Sequence, residues 1–176
     1  YPDEAALGDR PGALVPLERA ARIARKAPDA QDQLAALIVQ IARHYDALRD
    51  YTRAAENFQE GYDLLVAQYG PTHDEALICL SEMGSAVAAN GDVARGEELV
   101  RRALSGFMQT HGADHLLTAT TRRNLAAILA TRGLLDEAAA EYRAALEVYR
   151  AELAPDNPSI KMIRDNLQRL EASRQP

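Results

Sequence analysis

His111 and His115 stand four residues apart, a spacing that places two imidazoles on one helix face and could begin a metal site. Gly112 lies between them, at what reads as a helix end, so the shared face is lost. Neither Cys nor a further His supplies the remaining ligands, and no metal is expected. His73 and His115 instead occupy the same place in a recurring phrase, which suits capping or packing over a turn. His44, beside Tyr45, reads as facing solvent.

The other reactive residue types lead no further. Cys79 lies in an apolar stripe with no neighbouring base, which is the setting of a buried filler and not of a nucleophile. Asp74-Glu75, Glu97-Glu98 and Asp136-Glu137 are acidic pairs near expected helix starts, where negative charge favours the helix dipole. Arg101-Arg102 and Arg122-Arg123 are short basic spots that read as solvated faces. No G-x-S-x-G, H-E-x-x-H or phosphate-loop motif occurs. The expectation is a protein with no catalytic residues and no cofactor.

Composition narrows the class. The chain has 176 residues, 47% hydrophobic but only 5% aromatic and without Trp. Alanine and leucine dominate the apolar residues, and they favour closely packed helices over sheets. A formal charge of −6 provides no concentrated basic face for nucleic acid. The nearly continuous apolar run LAALIV at 34–39 is far too short to span a bilayer. One cysteine allows no internal disulfide, which fits a reducing compartment, and the cytoplasm is the expectation. The chain begins at Tyr1 and not at Met, so a processed form or an excised segment is expected, with export left open. Richness in Ala, Arg and Leu suggests a GC-rich bacterial source.

The elements that must carry any function follow from a repeat. YGPTHDEAL begins at 69, HGADHLLTA at 111 and LAPDNPSI at 153, so Tyr69 to His111 and His111 to Leu153 are both 42 residues. A fixed period of this size marks stacked helical units. In the second unit Leu77, Leu80, Met83, Gly84 and Val87 form one helical stripe. Gly91-Asp92 stops it, and Val93, Gly96, Val100, Ala103, Leu104 and Phe107 form the next. Units two and three share Gly70/Gly112, His73/His115, Ala88/Ala130, Gly91/Gly133, Arg101/Arg143, Ala103/Ala145 and Leu104/Leu146. They therefore share a size pattern more than a spelling, with small residues where helices approach and large ones where gaps need filling.

The size pattern resembles the tetratricopeptide repeat. Ala42, Gly84 and Ala126 match its small first-helix residue; Ala54, Gly96 and Ala138 match the small residue opening its second helix. Phe58, Val100 and Tyr142 match the large residue four further on, and Gly61, Ala103 and Ala145 the small one near the end. The usual unit has 34 residues, and the longer unit with its G-x-x-H linker is similar to the kinesin-light-chain type. The usual tryptophan is replaced by Ile38, Leu80 and Arg122. The resemblance spans about 30–172 and implies an all-α fold, a right-handed α-α superhelix of about three helix pairs with terminal capping helices. Units are expected at about 31–69, 73–111 and 115–153. A leading helix is expected over 15–28, stopped by Pro28-Asp29, and a capping helix over 158–173, with Asn157 as cap and Pro158 in its first turn. Residues 1–14 are expected to form a loose arm.

Function follows from the resemblance. Solenoids bind extended segments on a concave face, which first helices line in this family. The positions carried over are Val39, Gln40 and Arg43; Ser81, Glu82 and Ser85; Arg123, Asn124 and Ala127; and Asp165, Asn166 and Arg169. In the kinesin-light-chain-like subclass an Asn before the leucine often holds a peptide backbone, and Asn124 and Asn166 stand there, whereas Gln40 and Glu82 depart. An Asn amide both donates and accepts, as a peptide backbone requires. Arg43 and Arg123 are expected to offer charge, and Glu82 and Asp165 to reject a uniformly acidic ligand. The implied activity is a protein-interaction module for a protein or peptide partner, with no nucleic acid, membrane or small-molecule substrate. The alternative is a regulatory or sensory domain of a larger bacterial signalling protein.

Overall fold

The structure, a computed structural model, describes residues 10–27 and 30–172. Among them are eight helices and no strand: α1 (Arg10–Ala24), α2 (Gln31–Ala47), α3 (Tyr51–Tyr69), α4 (Asp74–Ala89), α5 (Val93–Thr110), α6 (Leu116–Thr131), α7 (Leu135–Glu152) and α8 (Pro158–Ala172). They stack as a right-handed α-α superhelix in which each helix packs on its chain neighbours. The pairs are α2/α3, α4/α5 and α6/α7, with α1 and α8 at the ends.

Local chemistry sets the breaks. Asp50 and Asp92 cap α3 and α5, their carboxylates accepting from the backbone N–H of Arg53 and Arg95 at 3.1 Å each. The turn inside each unit needs one residue with positive φ. Gly91 (φ 108) and Gly133 (φ 75) supply it at low cost. In unit one the same position, 42 residues before Gly91, holds Arg49 at φ 61. Between units, Asn157 accepts from the Ser159 N–H at 2.9 Å, and Pro158 opens α8.

The second helices each bury a quartet against their partners. These are Ala54, Phe58, Gly61 and Leu65 in α3; Gly96, Val100, Ala103 and Phe107 in α5; and Ala138, Tyr142, Ala145 and Tyr149 in α7. In the middle unit the crossing is close. A Cβ on Gly96 would stand 2.5 Å from the Gly84 carbonyl oxygen and 2.6 Å from the Ala88 Cβ. The two glycines therefore set the distance between α4 and α5.

The N-terminal end differs from expectation. Residues 10–14, which the sequence assigns to a loose arm, belong to α1, which begins at Arg10 and ends at Ala24 and so does not run over 15–28. Pro11 and Gly12 read as breakers, but Leu14, Ala21 and Ala24 are buried at helical spacing, the two alanines in a cluster with Leu34, Ile38 and Ile41 of α2, and this burial outweighs the local signal. Residues 1–9 and the expected stop at Pro28-Asp29 lie outside the described residues.

Candidate functional site

The first helices meet along one face. α4 touches α6 directly, past the intervening α5, and two side-chain bonds tie first helix to first helix. Arg43 of α2 donates through Nε to both Glu82 carboxylate oxygens of α4, at 2.9 and 3.1 Å. Asn124 of α6 donates through Nδ2 to the hydroxyl of Ser81 of α4 at 3.1 Å. Ser81 is buried, and Ser85 donates to its carbonyl oxygen at 3.1 Å.

The charges are distributed differently from the sequence expectation. Arg43 and Glu82 do not act separately toward a ligand, because they neutralise each other. Burial pushes the Glu82 carboxyl up, and the charge and hydrogen bond of Arg43 pull it part of the way back. At the far end Arg123 donates to Asn124 Oδ1 at 3.1 Å and pairs with no carboxylate among the described residues. The face thus runs from a neutral end at α2–α4 to a cationic spot at α6.

Beyond Arg123, Asn166 of α8 donates through Nδ2 to the Tyr142 hydroxyl at 3.1 Å. Burial raises the Tyr142 pKa against the lowering effects of Asn166 and Arg123, so the phenol remains a neutral donor. Asn166, Asp165 and Arg169 line an open, shallow depression on α8 together with Pro158, Lys161 and Met162. Gln40, Arg43, Asp165 and Arg169 are exposed; Glu82, Ser85, Arg123, Asn124 and Asn166 are half-buried. Each of the two asparagine amides has spent only part of its capacity, since an amide has two donors and an acceptor oxygen with two lone pairs.

Tyr142 reads from the sequence as a packing residue only. Its signal is a hydroxyl at a position where the other units carry Phe58 and Val100. Glu97 also departs from its sequence reading. It does not sit in the first turn of α5 but is 7% exposed, and it accepts from Arg101 at 2.7 Å and from Arg132 of the α6 C-cap. Burial pushes its pKa up, and the two arginines more than reverse this, holding it below the usual carboxylate range.

The histidines join the units. His73 and His115 cap α4 and α6 through Nδ1, accepting from the Glu75 and Leu117 N–H at 3.3 and 3.2 Å. His111 at the end of α5 and His115 at the start of α6 share no helix face, yet their rings stack at 4.2 Å, and His111 Nε2 lies 2.6 Å from Asp74 Oδ1. Among the described residues no group of three or more His, Cys, Asp and Glu is arranged to hold a metal ion. Cys79 is buried, its thiol donating to the Phe58 carbonyl at 3.3 Å, and burial pushes its pKa up to about 12. No described helix is long and apolar enough to cross a membrane.

Residues 75–151 match the sequence pattern of the tetratricopeptide repeat. No curated protein matches the chain. Among solved structures, the crystal structure of BtubC (BKLC) from P. vanneervenii superposes with a TM-score of 0.75 at 16% identity, covering 96% of this chain and 76% of that one. A P. anserina protein, described as a kinesin light chain of nearly identical TPR-like repeats, superposes with a TM-score of 0.74 at 22% identity. That alignment covers 96% of this chain and 82% of the other. A single-substitution variant of the P. anserina protein gives a TM-score of 0.76 at 22% identity, covering 96% and 81%. Repeats of this family are in general protein–protein interaction modules and non-catalytic scaffolds. Residues 75–151 thus carry the tetratricopeptide-repeat pattern, and the chain has the fold of the solved kinesin-light-chain-like repeat structures.

Proposed function

We propose that the inner face binds an extended, mixed-charge peptide segment of a protein partner, with an apolar anchor and a carboxylate placed near Arg123. The observation that carries this reading is two hydrogen-bonded groups, Ser81–Asn124–Arg123 across α4 and α6 and Tyr142–Asn166 across α7 and α8, with the Arg123 charge acting on the Tyr142 phenol between them. Asn124 and Asn166 share a repeat position 42 residues apart, and each retains donor and acceptor capacity for a strand-like backbone. Arg123 is held by a neutral amide, so its charge is available for a charge-assisted bond. The Arg43–Glu82 pair leaves the other end without net charge, which favours a ligand whose acidic residues sit at one end only.

The test is selection of extended peptides from a displayed library on the immobilised protein. Crosslinks from a photoreactive group in a selected peptide are then mapped. Crosslinks to α4, α6 and α8 support the reading; crosslinks confined to α3, α5 or α7 residues other than Tyr142 contradict it.

A further inference from the structure

The most exposed large apolar side chains of the described structure, Val15 at 68% and Ile23 at 63%, both lie on α1. With Arg19, Arg22 and Lys26 they make one exposed stripe at helical spacing. None of these three cations pairs with a carboxylate among the described residues, whereas the neighbouring Arg25 is held by Glu60 at 2.7 Å. An acidic chain therefore carries a basic, apolar ridge at one end.

The complementary surface lies at the other end of the same chain. A groove beside α7 has a floor of Ala144, Val148 and Ala151 and is rimmed by Asp114, Glu147 and Glu152. These three carboxylates are exposed and unpaired among the described residues, while Arg122 in the groove is already matched by Glu141 at 2.7 Å. Three cations on one surface thus match in number three carboxylates on the other, all six unpaired among the described residues. The apolar spacing fits as well. Val15 and Ile23 are roughly 12 Å apart along α1, and Ala144 and Ala151 roughly 10 Å apart along α7, at 1.5 Å per residue. Small residues on the floor leave room for the two branched side chains.

We propose that α1 of one copy docks into the α7 groove of a second copy. The contact is heterologous, joining different surfaces of the two molecules, so association proceeds head to tail. Pairing α1 with α1 would bring like charges together, and so would pairing α1 with α8, whose exposed residues include Lys161 and Arg164. The groove beside α7 avoids both conflicts.

Sedimentation velocity over a wide concentration range, at low and high salt, tests this. The expected result is a mass that rises with concentration and falls back toward monomer as salt screens the contact. R19E/R22E and E147K/E152K should each weaken association by at least about tenfold, and circular dichroism checks that both still fold. Mixing the two variants should restore association, because each reversed surface then meets its complement. A wild type that stays monomeric throughout overturns the proposal, as does a mixture that fails to associate. Binding of α1 to anionic vesicles by a monomeric wild type would also overturn it and assign the ridge to a membrane surface. Asn124→Ala should leave self-association unchanged, which separates this contact from peptide binding on the inner face.

Discussion

Gly84 and Gly96 face each other across the α4–α5 crossing so closely that a Cβ on Gly84 would lie 2.8 Å from the Gly96 carbonyl oxygen. A Cβ on Gly96 has the less room to yield, because it meets the Gly84 carbonyl oxygen and the Cβ and backbone nitrogen of Ala88, whereas a Cβ on Gly84 meets the Val100 side chain first, at 2.7 Å. Gly96→Ala is therefore expected to cost about 1–3 kcal/mol through overpacking. Ala126, fully buried in the next unit, should respond likewise to Ala126→Leu. Glu98 is exposed and pairs only with Arg95 on its own helix, so Glu98→Ala should change little. Thermal melts of the three variants decide it. A wild-type melt for Gly96→Ala would mean that the helices do not cross here.

Glu97 sets a pH dependence. Its pKa is depressed in the folded state by Arg132 and Arg101 acting against burial. The stabilisation is therefore fully present above the unfolded carboxyl pKa, about 4.3, and is lost as pH falls through the folded value. Because both guanidinium partners are nearly half exposed, Glu97→Gln is expected to cost only about 1–2 kcal/mol at neutral pH. Denaturant midpoints of wild type and variant should begin to converge as pH falls below the unfolded carboxyl value, about 4.3, and meet only below the depressed folded one. A gap that persists unchanged at low pH would contradict the ionic origin.

The intra-unit turns make opposite predictions at equivalent positions. Gly91 has φ 108 and Arg49 has φ 61. Gly91→Ala should destabilise by about 1 kcal/mol, because an L side chain is strained there. Arg49→Gly removes the same strain and should not destabilise, despite the added freedom of the unfolded chain. Chemical denaturation of both variants reads the signs directly.

Periodicity made the helix pairs legible, because the period acts on size and not on spelling. Gly84, Gly96, Ala126 and Ala138 announce close crossings, and Gly91 and Gly133 announce turns. Where a residue acts through a distant partner, the sequence carried less. Glu97 reads locally as a helix-start charge, and nothing near it in sequence reveals Arg132 across the next helix. Arg43 and Glu82 are 39 residues apart, and their mutual neutralisation emerges only when α2 and α4 lie side by side. The start of α1 escaped for another reason: Pro11 and Gly12 signal a break locally, and the burial of Leu14, Ala21 and Ala24 along α1 overrides them.

The central claim is that the inner face holds a peptide backbone through Asn124, and calorimetric titration of a library-selected peptide tests it most directly. Asn124 has its amide engaged with Ser81 and Arg123 at the surface of the helix stack. Asn124→Ala should leave the melting temperature near that of wild type and weaken the peptide by about 1–3 kcal/mol, the cost of leaving a buried partner group unpaired. Glu98→Ala, on the outer face, should bind as wild type. Equal affinity for wild type, Asn124→Ala and Glu98→Ala would contradict the account and move the binding surface away from the first helices.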